Sequence, residues 1–115
     1  MRKEAEISKR AEIYLSSKPG VRPLRNNVGA YKIGKRYIHY GLKVGSSDWI
    51  IPYPILITQE MVGQYIARFS GVEIKDPEGR ESPEQIEFRE WINSIGGKVV
   101  VFSGDLTILD SLANI

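Results

Sequence analysis

Ser82-Pro83-Glu84-Gln85-Ile86-Glu87-Phe88-Arg89-Glu90-Trp91-Ile92-Asn93-Ser94-Ile95-Gly96-Gly97-Lys98-Val99-Val100-Val101-Phe102 carries the two signals that decide the fold class. A serine cap, a proline at the first helical position and a glutamine three residues after the cap predict a capped helix start. Phe88, Trp91, Ile92 and Ile95 then fall at i, i+3, i+4 and i+7, the apolar face of one helix. Gly96-Gly97 supplies the stop. The continuous apolar run Val99–Phe102 predicts a strand buried on both faces. A capped helix that feeds such a strand belongs to an α/β fold.

Working outward, Tyr65 to Lys75 is the longest strand candidate, and Asp76-Pro77-Glu78-Gly79 after it has turn composition. Lys3 to Ser16 reads as a helix with Ile7, Ala11, Tyr14 and Leu15 on its apolar face, ended by Pro19-Gly20. Apolar and polar residues then alternate around Gly34-Lys35, which predicts a hairpin with strands near Val28–Lys32 and Arg36–Tyr40. Gly45-Ser46-Ser47 leads as a loop or bulge into the short strand Asp48–Ile51, and Pro52 and Pro54 break it. Glu60 to Gln64 reads as a turn of helix, and Asp105 to Ala113 as a last helix carrying Leu106, Leu109 and Leu112. With no repeat, low-complexity tract or linker, residues 1–115 are expected to form one α/β domain.

Composition removes several chemistries. The 115 residues are 26% charged and 42% hydrophobic, with no cysteine and one histidine, His39. Disulfides, cysteine-ligated zinc, thiol nucleophiles and histidine-cluster metals are therefore excluded, and any bound metal must be held mostly by oxygen. No apolar run approaches the roughly 20 residues of a membrane span. The N-terminus carries acids and lacks an apolar stretch, so no signal peptide and a cytoplasmic setting are expected. Residues 1–48 hold eleven Lys/Arg against four Asp/Glu, and residues 49–115 hold five against ten, so a net +7 faces a net −5. The basic half is laced with tyrosines, which suits a phosphate backbone but equally a solvated surface.

One tripeptide could do chemistry. Side chains alternate along a strand, so Glu73 and Lys75 project to one face and Ile74 to the other. With Asp48 as a further acid and the Ile74 backbone carbonyl, these groups suit Mg²⁺ or Mn²⁺ at a phosphate. Lys75 would offset developing charge or orient water. Ser46 and Ser47 could donate to phosphate. The plain alternatives are an exposed cross-strand charge pair for Glu73 and Lys75, and a tight turn for the serine loop. His39 reads as structural, and Phe88 with Trp91 as core.

Arg25-Asn26-Asn27-Val28-Gly29, Tyr40-Gly41-Leu42, Gly45-Ser46-Ser47-Asp48, Val72-Glu73-Ile74-Lys75, Ser82-Pro83-Glu84-Gln85 and Gly96-Gly97 occur in that order. This series closely resembles the VRR-NUC family of PD-(D/E)xK nucleases, in its compact stand-alone phage and bacterial form, from the first helix through Ser103. The resemblance implies a restriction-endonuclease-like core, a mixed β-sheet flanked by helices in the order αβββαβ. It also implies metal-dependent phosphodiester hydrolysis of DNA, often structure-selective, with branched DNA such as four-way (Holliday) junctions as the expected substrate. By position, Asp48 and Glu73 resemble the metal acids, Lys75 the catalytic lysine and Gln85 the motif glutamine. Glu6 resembles the first-helix acid, with Glu4 as the alternative. Arg25, Asn26, Asn27, Ser46 and Ser47 are the expected DNA contacts, although Asn26-Asn27 also read as turn residues. Ser8 replaces a frequent glutamine, and Asp76 a frequent threonine. A symmetric homodimer is expected, because a junction is two-fold and needs two nicks; the Tyr31–Tyr40 hairpin is the expected interface. Two alternatives stay open: a non-catalytic nucleic-acid-binding module, and a nuclease of flaps or nicks.

Overall fold

A computed structural model describes residues 2–114. Among the described residues the fold is mixed α/β, with three α-helices and three two-stranded sheets. The chain divides into two compact units, Met1–Pro52 and Tyr53–Ile115.

The first unit opens with α1 (Arg2–Ser16). Its half-buried positions are Ser8, Ala11, Glu12 and Leu15, whereas Ile7 and Tyr14, expected on the packed face, are 57% and 64% exposed. The Trp49 indole N–H donates to Ser8 Oγ at 3.0 Å. A half-buried indole N–H needs an acceptor, and meeting that need turns the helix toward its serine side. β1 (Leu24–Arg25) pairs antiparallel with β4 (Trp49–Ile50), a ladder with no local signal in the sequence. β2 (Gly29–Ile33) and β3 (Arg36–Tyr40) form the expected hairpin, with Ile33 opposite Arg36 across the Gly34-Lys35 turn. Residues 24–33 thus change partner at Asn26, so β1–β4 and β2–β3 are separate ladders and not one sheet.

The second unit is built on a β–α–β arrangement. β5 (Ser70–Ile74) and β6 (Lys98–Phe102) pair in parallel, and α2 (Pro83–Ser94) connects them. The capping box forms as expected: Gln85 N–H donates to Ser82 Oγ at 3.2 Å, and Ser82 N–H donates to Gln85 Oε1 at 2.9 Å. At the other end Gly96 has φ 100°, and Gly97 N–H donates to Ile92 O at 3.0 Å, a Schellman closure. Ile92 is fully buried, beside buried Trp91 and Val99, and Phe88 meets Trp91 edge to face at 5.6 Å.

Three expectations are corrected here. The strand expected over 65–75 is confined to 70–74, because its partner begins only after Gly97 and the first bond is Lys98 N–H to Phe69 O at 2.9 Å. β6 is not buried on both faces; only Val99 is buried, and its N–H is taken by Asn93 Oδ1 at 2.9 Å. The turn of helix expected over 60–64 is a 3₁₀ turn at Gln59–Met61. The last helix, α3 (Leu106–Asp110), is capped by Asp105 and runs into a 3₁₀ turn at Ser111–Ala113. Among the described residues, no helix is long and apolar enough to cross a membrane.

Candidate functional site

In the second unit, β5 alternates as its period requires. Gly71, Glu73 and Lys75 are half-buried, while Val72 and Ile74 are exposed at 42% and 71%. Glu73 and Lys75 are therefore less exposed than the apolar Val72 and Ile74 beside them, the reverse of an ordinary solvated strand, and Val72 lines the same cavity as Glu73. Gln85 and Phe88, a helical turn apart on α2, share with Glu73 the lining of a shallow cavity of about 360 Å³. Gln85 Oε1 is held by the Ser82 N–H, so its amide nitrogen is the donor it can offer a ligand. Ile74 ends β5, and Lys75 N–H donates to Phe102 O at 3.0 Å, which extends the ladder one step past the strand.

Two residues that the sequence reading did not single out join this group. Arg89 grips Glu81 through both of its carboxylate oxygens, Nε to Oε2 at 3.0 Å and Nη2 to Oε1 at 2.7 Å. The side chains are only 29% and 14% exposed. Burial first, then the side-chain hydrogen bond with Glu81 and the Glu81 charge, push Glu73 above the ordinary glutamate value; Lys75 and Arg89 oppose this. Arg89's hydrogen bond holds Glu81 below that value. The i, i+4 spacing of Gln85 and Arg89 on α2 was the available clue to Arg89. Glu81 lies in the turn before the cap, where no periodicity marks it.

In the first unit, Arg25, Asn26, Ser46, Ser47 and Asp48 come together. Asn26, expected to contact DNA, is only 7% exposed. Its Nδ2 donates to Ser46 Oγ and Ser47 O, each at 2.8 Å, and its Oδ1 accepts from Leu42 N–H at 3.0 Å. Its backbone N–H donates to Asp48 O at 2.8 Å. A buried amide costs free energy unless it is bonded, and these bonds meet that need inside the protein. The Arg25 guanidinium donates to the same Asp48 carbonyl at 2.9 Å, lies 4.0 Å from the Asp48 carboxylate and 5.5 Å from the Trp49 ring centre. The Asp48 side chain itself is 87% exposed. Asn27 is exposed and remains open to a ligand.

The helix α1 turns its Ser8 side toward β4, the strand that follows Asp48. Glu4 stands four residues before Ser8 and shares that face, whereas Glu6 lies two residues away and points elsewhere. By helical period Glu4 lies on the Ser8 side of α1 and Glu6 does not, and both side chains are exposed.

Among the described residues, no group of three or more His, Asp or Glu gathers closely enough to hold a metal ion. A scan against protein-family models finds no match, and searches of the curated proteins and of the solved structures find none either.

Proposed function

We propose that this protein is a Mg²⁺- or Mn²⁺-dependent endodeoxyribonuclease of the restriction-endonuclease-like, VRR-NUC type, acting on branched DNA such as four-way junctions. The observation that carries this reading is the inversion of β5. An acid and a lysine two residues apart occupy its half-buried face, with Gln85, Glu81 and Arg89 gathered around them. An ordinary charge pair would gain nothing from that placement, since exposed pairs are worth little and buried charges cost free energy unless used or paired.

The donor set fits a hard cation. Arg89 already occupies both Glu81 oxygens, so Glu73 is the carboxylate of this group left for an ion with a preference for oxygen. Glu73 and the Ile74 carbonyl are the ligands this reading assigns within the second unit, and the exposed Asp48 carboxylate is the acid it assigns within the first. When bound, the ion supplies polarisation of the scissile phosphate and a lowered pKa for the attacking water. Lys75 offsets the negative charge that develops on the phosphoryl oxygens. The Gln85 amide nitrogen donates to substrate or water in the cavity. Ser46, Ser47, Arg25, Asn27 and the cations of the first unit hold the phosphate backbone. A homodimer and a cytoplasmic setting go with the same reading.

The test is incubation of the protein with labelled duplex, flap and four-way junction DNA in Mg²⁺, Mn²⁺ or chelator. Cleavage that needs the metal and favours the junction is expected. Binding without cleavage under every condition would leave a nucleic-acid-binding module, and preferred cutting of the flap would replace the junction as substrate.

A further inference from the structure

The bonds of Asn26 converge on one loop. They reach its start at Leu42, its middle at Ser46 and Ser47, and its end at the carbonyl of Asp48. A hydroxyl has one donor and two acceptor sites. Because Ser46 Oγ accepts from the Asn26 amide, the hydroxyl proton must be directed away from Asn26. The carbonyl of Asp48 is pinned twice, by Asn26 N–H and by Arg25, while its carboxylate stays exposed. The buried amide thus holds the Ser46 hydroxyl with its proton turned away from Asn26, and the backbone N–H of Asn26 holds the main chain that carries the exposed Asp48 carboxylate two residues on.

We propose that Asn26 is a positioning residue, a buried clamp that presents the Ser46 hydroxyl and the Asp48 carboxylate together to a phosphate and its cation. The clamp rests on the loop geometry alone; what it is presented to rests on the nuclease reading. Asn26→Asp is the sharpest probe. It keeps the oxygen that accepts from Leu42 but replaces both amide donors with an acceptor. Ser46 would then turn its proton inward toward the new carboxylate, and Ser47 O would meet a like charge. Ser46→Ala removes the outward donor while the bonds to Ser47 and Leu42 remain.

Two measurements on the full chain separate the clamp from its use. Amide hydrogen exchange reads the loop, and steady-state cleavage of junction DNA with Mn²⁺ reads the chemistry. In Asn26→Asp, exchange over residues 42–48 should quicken at least about tenfold while the 29–40 hairpin keeps its protection, in line with the loss of a buried hydrogen-bond node. Its kcat should fall about 10- to 100-fold with KM for DNA within about threefold, as expected of misplaced groups. Ser46→Ala should lower kcat with the loop still protected. Should Asn26→Asp not fold, the wild-type Asn26 side-chain amide protons decide by NMR: slow exchange supports the clamp, and exchange at the rate of a free amide overturns it. Unchanged protection over 42–48 in a folded Asn26→Asp overturns it as well. A loosened loop with undiminished kcat overturns the positioning role. Wild-type protein that cuts nothing overturns the nuclease reading, and with it the phosphate as the loop's target, while the exchange data still judge the clamp.

Discussion

Lys75 stands half-buried on the same face of β5 as Glu73, and its ammonium lowers the Glu73 carboxyl against the pull of Glu81. Lys75→Ala should therefore abolish cleavage while the melting temperature moves little and DNA binding persists, since the cations of the first unit remain. A purified variant that cuts near the wild-type rate would place the site elsewhere. The two acids on α1 give a paired test. Glu4 shares the Ser8 face that meets β4 and Glu6 does not, so Glu4→Gln should lower kcat and Glu6→Gln should leave it close to wild type. The opposite order would restore Glu6. Glu73 supplies a pH test with a definite sign. Its carboxyl titrates above the ordinary value, first through burial and then through Glu81. The stability tied to the retained proton is present below the ordinary glutamate pKa and lost as pH rises through the raised one. A divalent ion competes with that proton, so Mn²⁺ affinity measured by calorimetry should climb through the same interval. Glu81→Gln removes the neighbouring charge and should move the Glu73 midpoint down, as read by carbon NMR of its carboxyl. A midpoint that stays put would leave burial alone as the cause.

The helix α2 owes its limits to chemistry at its own ends, which is why it was legible in the sequence. Ser82, Pro83 and Gln85 start it, and Gly96-Gly97 ends it. Ser82→Ala should cost about 1 kcal/mol through the lost cap, which for a chain of this size lowers Tm by about 4 °C. Gly97→Ala should cost more. A Cβ there would lie 2.6 Å from Ile92 Cγ2 and 2.8 Å from Phe69 O, and Ile92 is fully buried and cannot step aside. Thermal melts of both variants check the order, and a smaller loss for Gly97→Ala would mean that the α2–β6 junction relaxes. The hairpin was legible for the same local reason, a two-residue turn between alternating strands. The β1–β4 ladder was not, because it joins two-residue segments far apart in the chain. The start of β5 was also hidden, since it is set by where its partner begins. At the site, strand period alone exposed Glu73 and Lys75. Glu81 has no period, and the burial of Asn26 depends on a loop 16 to 21 residues further along the chain. Side chains whose role is fixed by distant backbone are the ones that sequence spacing misassigns.

At the scale of the molecule, charge divides with the units. Residues 1–52 contain all eleven Lys/Arg of the basic half against four Asp/Glu, and residues 53–115 contain five against ten. On the proposed nuclease reading, phosphate attraction would belong to the first unit, together with the 42–48 loop, and the Glu73–Lys75 chemistry to the second. The first unit also carries the β2–β3 hairpin, one face of which brings together by register Tyr31 and Ile33 from β2 with Ile38 and Tyr40 from β3, Arg36 standing opposite Ile33 at the turn end. Tyr31, Ile33 and Tyr40 are 51%, 60% and 47% exposed, and the Tyr31 and Tyr40 rings lie 6.3 Å apart. A two-stranded hairpin is marginal by itself, and an exposed apolar face of this kind gains stability when covered. We propose that a second copy of the chain covers it. A four-way junction has approximate two-fold symmetry and needs two nicks in related strands. One chain with one catalytic lysine places both cuts in concert by pairing with its own copy across a two-fold axis. Light scattering at micromolar concentration should give twice the chain mass, with and without junction DNA. Tyr31→Asp, which sets a charge in the middle of that face opposite Ile38, should return the mass of one chain and leave single nicks in place of paired cuts. A single-chain mass for the wild type in both samples would remove the dimer, and the physical reason for preferring a junction over a simple nick would go with it.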